Sequence, residues 1–438
     1  MAQLSLSSSN AATLVDDRVR GFPAGHAPLA LAEIGRQGWK PYDGIMSLPL
    51  ITLDRAAFAA NTRLMMRYVT NHALAIAPHG KTPMSPVLTR RLIDAGAWGT
   101  SVADIRQASV MLDAGLDRLI IANEIGGPMA AERLAAMLAH HRDAEVHLFV
   151  DSVGLAEALA EAWRKRDGLP PLGILVEVGG ARAGARSLDT ATAILDTVLA
   201  AETPTFRVSG VASYEGALAG PDARETEERI AGLLTLTGDL YRLVRQRVGA
   251  ARPLIVTAGG SVFFDLVVKA LNPVLAGDAH AALVLRSGAI FFHDHGIYVR
   301  GLTALDARNG FEIDGKVESA VHGFRPALRV WAEVLSRPEP GLAIAGMGLR
   351  DVAIDQGLPQ PLALYRNRAR LGALDHATTT KLNDQHAFVE IGKDADVQIG
   401  DVIEFGLSHP CTCLDRHAML YEIDDGHTVV AALPSSFG

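Results

Sequence analysis

Between about Ala73 and about Ile290, short apolar runs alternate with longer amphipathic segments. Eight such runs stand out: Ala73–Pro78, Trp98–Val102, Arg118–Asn123, Val146–Asp151, Leu172–Val178, Phe206–Ser213, Leu254–Thr257 and Ala281–Leu285. They are too short for buried helices and rich in β-branched residues, which predicts buried strands. The segments between them carry apolar residues at spacings of three and four, which predicts helices over Asp104–Ala114, Ala130–His140, Gly154–Arg166, Leu188–Ala201 and Glu225–Val248. Asp104 and Ser187 stand where N-caps belong. Eight strand–helix units of this length predict an α/β fold, a (β/α)8 barrel of the TIM type, over an open doubly wound sheet.

After about Gly310 the period changes to strand-like alternation, in Ala327–Leu335, Leu342–Ala345, Phe388–Ile391, Val402–Phe405 and Met419–Ile423. A second, mostly β domain is expected there. The early strand Leu48–Leu53 precedes the barrel and is a candidate to join it. The expected division is 54–312 for the barrel and 1–53 with 313–438 for the β domain. A chain of 438 residues with 49% apolar composition has material for two cores.

Charge and cysteine content narrow the class. The formal net charge is -8 and basic residues are scattered, which argues against nucleic acid as a partner. Only Cys411 and Cys413 are present, too close in sequence for a disulfide framework. Met1–Asp17 is polar and Ser-rich without an apolar signal core, and no run of 18 uncharged apolar residues occurs. A cytoplasmic location is expected.

Five segments are candidates for chemistry. Pro78-His79-Gly80-Lys81-Thr82 follows the first barrel strand, at the end of the barrel where active sites form. A partly desolvated lysine there is suited to Schiff-base formation; the alternative is a surface lysine. A P-loop is rejected, because Ala75 stands where that motif needs glycine. Thr257-Ala258-Gly259-Gly260-Ser261 follows the seventh strand, where barrels commonly bind phosphate; Ser261 is a candidate cap and phosphate donor. Alone, a Gly-Gly turn is usually only a turn. Glu177 to Gly184 combines three glycines with Arg182, which can aim a guanidinium at an oxyanion or lie solvated in a surface loop. Ser213-Tyr214-Glu215-Gly216 ends the sixth strand, and Tyr214 either meets a ligand nitrogen or packs.

In Ser408-His409-Pro410-Cys411-Thr412-Cys413, an extended backbone places His409, Cys411 and Cys413 on one face. Imidazole and thiolate are good zinc ligands. Joined by His417 they make a closed structural site; His409 and Cys411 alone leave an open one; the third reading is plain packing. No G-x-S-x-G or H-E-x-x-H motif is present, and Gly346-Met347-Gly348 lacks the third glycine of a dinucleotide site.

Taken together in order, the Pro78–Thr82, Ser213–Gly216, Gly259–Ser261 and His409-x-Cys411 motifs resemble those of the D-serine dehydratase and D-threonine aldolase family, alanine-racemase-type (fold type III) pyridoxal-phosphate enzymes. The likeness runs from about Leu48 to Ala432. Ala77–Met84, Gly96–Gly99 and Gly346–Asp351 make it closest to the bacterial amino acid deaminases. The resemblance implies an alanine-racemase-like pairing of barrel and β domain, and a homodimer with active sites at the interface. It implies pyridoxal 5'-phosphate held on Lys81, with His79 in the same segment, Gly259, Gly260 and Ser261 at the phosphate, Tyr214 near the pyridine nitrogen and Arg182 near the phenolic oxygen. It also implies a divalent metal, zinc or manganese, on His409 and Cys411.

The implied reaction is metal-assisted dehydration and deamination of a D-3-hydroxy amino acid. Three departures matter. Ala217 replaces a histidine common in relatives, which argues against aldolase chemistry. Cys411 stands where aldolases tend to carry aspartate. Leu349 replaces a lysine frequent in the deaminase branch. A D-threonine or 3-hydroxyaspartate aldolase, a racemase and a non-catalytic pyridoxal-phosphate carrier are the alternatives; carriers of that kind lack a β domain.

Overall fold

The computed structural model describes residues 12–437. All eight expected barrel strands form: Ala75–Ile76, Thr100–Val102, Arg118–Ile121, Glu145–Val150, Leu172–Val178, Phe206–Ser213, Leu254–Ala258 and Ala281–Leu285. They run parallel in sequential order, with the first strand beside the eighth. The ring closes through a parallel bridge between His79 and Ser101, and Trp98 N–H donates to Ile76 O at 2.8 Å. The two shortest strands meet at this seam, so the first two elements are shorter than the sequence pattern suggests.

The side-chain period of two sorts the core. Ala77, Ile120, Phe149, Leu175, Ala212, Ile255 and Val284 point inward and fill the barrel. Their neighbours, such as Leu119 and Ile121, point outward against the helices. The expected helices form as Ile105–Asp113, Pro128–Leu138, Val153–Arg164, Leu188–Ala200 and Ala223–Val248. Asp104 and Ser187 cap theirs, accepting from Gln107 N–H and Thr190 N–H.

The second domain is mostly β, as expected. The strand Leu50–Asp54 does join it, antiparallel to Leu328–Glu339 and parallel to Met419–Ile423. Residues 1–11 of the expected N-terminal contribution lie outside the described residues. Four strands of its large sheet were not expected: Gln360–Arg366, Ala369–Ala373, Thr378–Leu382 and Val429–Pro434. Ala369–Ala373 is almost wholly exposed, so it carries no apolar alternation to read. The domains meet at polar joints. Asn61 of the barrel donates across to Arg325 O, and the buried Glu422 of the β domain accepts from Arg91 and Arg55 of the barrel. Among the described residues, no helix is long and apolar enough to cross a membrane.

Candidate active site

A cavity of about 1000 Å³ opens at the C-terminal end of the barrel, where the β domain leans over it. His79, Lys81, Arg182, Tyr214, Gly260, Ser261, His409 and Cys411 all line it. The residues singled out from separate parts of the sequence therefore share one wall.

The lysine turn is held tightly. Gly80 N–H donates to Ser101 O at 2.8 Å, and a Cβ on Gly80 would lie 2.9 Å from Met111 Cε. A Cβ on Gly288 would meet the His79 backbone at 2.7 Å, so a glycine is needed where the eighth strand's exit packs on this turn. Burial depresses the Lys81 ammonium below its ordinary value, Cys411 opposes that shift, and Arg182 and Arg286 reinforce it. Burial also holds His79 neutral, and its Nδ1 is enclosed with no hydrogen-bond partner.

Tyr214 leaves the sixth strand and lies under the Arg182 guanidinium, whose carbon is 4.8 Å from the ring centre. Burial raises the tyrosine's pKa, so the phenol is neutral. A Cβ on Gly216 would come within 2.6 Å of Tyr214 Oη, and one on Gly260 within 3.1 Å of its ring. These glycines shape a flat slot beside the ring. Gly259 adopts φ +73°, a left-handed conformation suited to glycine.

Ser261 differs from expectation. Its hydroxyl donates to Glu215 at 2.6 Å and accepts from Phe263 N–H, while the next helix starts at Phe264 without a side-chain cap. Glu215, fully buried, also takes Gly259 N–H at 3.0 Å. The backbone N–H groups of Gly260, Ser261 and Val262 have no acceptor among the described residues. A Gly-Gly-Ser turn offering three free backbone donors beside a cavity fits an anionic group.

His409 and Cys411 flank the same cavity, but the face-sharing argument for Cys413 fails. Residues Pro410–Leu414 form a helical turn, so positions two apart diverge. Cys413 is buried and accepts from Ala353 N–H at 3.3 Å; burial pushes its thiol up to about 12. His417 is also buried, bonds Asp351 O at 2.8 Å, and burial lowers it to about 4. The closed four-ligand site is therefore ruled out.

Burial alone would lower His409, but its bonds to Cys411 and Asp355 outweigh that and raise it to about 9. Cys411 Sγ lies 3.2 Å from Thr82 Oγ1, next to the lysine. Among the described residues no three or more His, Cys, Asp or Glu cluster as a metal site. The pair is an N/S donor set of the kind zinc takes, open on its cavity side.

Three participants were missed. Arg286 is buried against the Phe149 ring, donates to Thr257 Oγ1 and Ser213 O, and has no carboxylate within ion-pairing distance among the described residues. Its signal was available: a charged residue directly after an apolar barrel strand. Glu215 stands within the Ser213–Gly216 motif, where nothing local marks its bonds to Gly259 and Ser261. Asp355 accepts from His409 across 54 residues of sequence, with no local signal. A buried unpaired cation, an unpartnered imidazole nitrogen, free backbone donors and glycine-shaped walls together fit a flat, anionic, hydrogen-bonding cofactor such as pyridoxal phosphate.

Residues 53–261 match the model for the alanine racemase N-terminal domain, and residues 327–423 match the putative serine dehydratase domain. Together these matches place the chain in the fold type III pyridoxal-phosphate family of D-threonine aldolase and D-3-hydroxyaspartate dehydratase-like proteins. D-threonine aldolase of an Arthrobacter species is 26% identical over 384 residues, which cover 86% of this chain and 89% of that one. The solved D-threonine aldolase of Filomicrobium marinum superposes with TM-score 0.71 at 24% identity, covering 89% of this chain and 95% of that one. D-threo-3-hydroxyaspartate dehydratase from Delftia sp. HT23 superposes with TM-score 0.68 at 19% identity, over 90% and 98%.

Proposed function

We propose that this protein is a lyase that dehydrates and deaminates a D-3-hydroxy amino acid, D-serine, D-threonine or D-threo-3-hydroxyaspartate, to a 2-oxo acid and ammonia. The carrying observation is that Lys81 and the His409–Cys411 pair open on one cavity and are linked through Thr82. Pyridoxal phosphate bound here supplies an electron sink for negative charge at the substrate Cα. A divalent cation on His409 and Cys411, zinc by ligand softness, supplies Lewis acidity to a β-hydroxyl.

The protein's own groups do the rest. Lys81, its pKa depressed by burial, holds the cofactor and in its free amine form takes the Cα proton. Tyr214, a neutral phenol, does not hold a pyridine nitrogen protonated as a carboxylate would, so leaving-group assistance carries more weight. The backbone donors of Gly260 and Ser261 would hold the phosphate, and Arg182, stacked on Tyr214, would bring a guanidinium to the cofactor's phenolic oxygen. The Cα–H and Cβ–OH bonds break and a C=C bond forms. Water leaves, and the released enamine takes water back to give the 2-oxo acid and ammonia.

Lys81→Ala should abolish both turnover and the visible absorbance band of the purified protein. His409→Ala and Cys411→Ala should lose the metal and most elimination while keeping the cofactor. Full activity in metal-free Cys411→Ala would end the metal half of the mechanism. The aldolase reading is favoured by the Arthrobacter relative. Product analysis decides: pyruvate or 2-oxobutyrate for the dehydratase, glycine with an aldehyde for the aldolase. We place the domain border near 312, the protein in the cytoplasm, where free Cys411 and Cys413 are stable thiols, and the working form as a homodimer, which the family resemblance supports.

A further inference from the structure

We infer that Asp355 is a positioning residue that holds His409 by Nδ1 and so reserves Nε2 as the metal-ligating atom. The inference rests on the reading of His409 as a ligand, and the test below separates the two.

The geometry is specific. Asp355 Oδ2 accepts from His409 Nδ1 at 2.6 Å, and Asp355 Oδ1 accepts from the Thr412 hydroxyl at 2.8 Å. Both carboxylate oxygens are thus engaged within the protein, and Asp355 does not line the cavity. An imidazole has two nitrogens; with the Nδ1 proton held by a carboxylate, Nε2 is the one that gives up its proton and offers a lone pair to a metal. Nδ1 is committed to Asp355, so Nε2 is the nitrogen left to ligate.

The clamp also fixes the ring plane. Thr412 follows Cys411 in the turn that starts at His409, so one carboxylate ties the first and fourth residues of His409–Thr412 together. Asp355 therefore sets the relative placement of the two donors as well as the tautomer. On the other side, Thr82 Oγ1 meets Cys411 Sγ at 3.2 Å. Each donor is thus oriented by a group that does not itself bind. A carboxylate behind a metal-binding imidazole raises its basicity and removes its rotational freedom; losing such a partner costs 10- to 100-fold in metal affinity.

Asp355 is half-exposed, with 43% of its side chain accessible, so replacing it opens no cavity in the core. The measurement is zinc affinity by competition with a chromophoric chelator, on wild type, Asp355→Ala, Asp355→Asn, Thr412→Val and His409→Ala, each loaded with pyridoxal phosphate. The cobalt-substituted forms give a second readout, the d–d and sulfur-to-cobalt bands. Asp355→Ala should weaken zinc about 10- to 100-fold and shift the cobalt bands while leaving the cofactor band unchanged. Asp355→Asn keeps an acceptor oxygen and should recover part of the loss; Thr412→Val should lose less than Asp355→Ala.

Wild-type affinity and cobalt bands in Asp355→Ala, with affinity lost in His409→Ala, would overturn the positioning role alone. Loss in Asp355→Asn as complete as in His409→Ala would make Asp355 a ligand and overturn it too. Unchanged affinity in His409→Ala would remove the ligand reading beneath it.

Discussion

At the scale of single residues, the cavity is shaped as much by side chains that are missing as by those present. A Cβ at position 216 would sit 2.6 Å from Tyr214 Oη and 2.9 Å from Ser261 Cβ, so both must move. Overpacking of this kind costs about 1–3 kcal/mol. Gly216→Ala should therefore weaken retention of pyridoxal phosphate roughly 5- to 100-fold, read by equilibrium dialysis followed at the cofactor's absorbance. Unchanged retention would take Tyr214 and Ser261 out of the cofactor's seat. The place of Lys81, Tyr214 and Gly260 on the cavity was legible in the sequence because each lies a few residues at most beyond an apolar strand, where a barrel displays its chemistry, whereas Gly259 gives its N–H to Glu215 and does not line the cavity. Asp355 was not, because its meaning comes from His409, far along the chain. Glu215 was not legible either: a carboxylate beside a proposed phosphate turn looks unfavourable until its two bonds, to Gly259 N–H and Ser261 Oγ, show that it builds the turn.

At the scale of elements, the barrel strands were readable because burial on both faces makes them uniformly apolar, and the helices because one face is not. The four unforeseen strands of the second sheet form hairpins with near neighbours in sequence, and exposed stretches such as Ala369–Ala373 and Thr378–Leu382 carry no regular apolar alternation to read. The His409 segment shows the opposite failure: an extended reading of a stretch that Pro410 starts as a helical turn. Glu422 lies on the strand Met419–Ile423 and joins it to two barrel helices through Arg91 and Arg55.

Burial alone would raise this carboxyl, but the two arginine hydrogen bonds outweigh that and hold it below its ordinary 4.5. A group depressed in the folded state contributes stability above its unfolded pKa and loses it as pH falls through the folded one. Glu422→Gln should thus lower thermal stability by about 2 kcal/mol at neutral pH. The gap from wild type should close as pH drops below the carboxylate range. A gap that persists to pH 3 in thermal melts would show that the charge is not what holds the joint.

At the scale of the whole molecule, the two domains share one apolar cluster. It runs from barrel residues such as Leu88 and Met84 to Ile51, Leu420 and Leu433 of the β domain. Calorimetry should accordingly show one thermal transition; two well-separated transitions would mean that the shared cluster does not couple the domains. A barrel cut off near residue 312 should precipitate, because that surface would be bared.

The active cavity straddles the same seam. Lys81 and the anion-binding turn belong to the barrel, while His409, Cys411 and Asp355 belong to the other domain. In the proposed reaction, the electron sink and the leaving-group assistant are thus encoded on separate pieces of polypeptide. On that proposal, exchanging a short segment of the β domain should change which bond at Cβ yields without disturbing the seat on which Cα is activated. A family whose members eliminate water in one case and split a carbon–carbon bond in another is what such a division of labour permits.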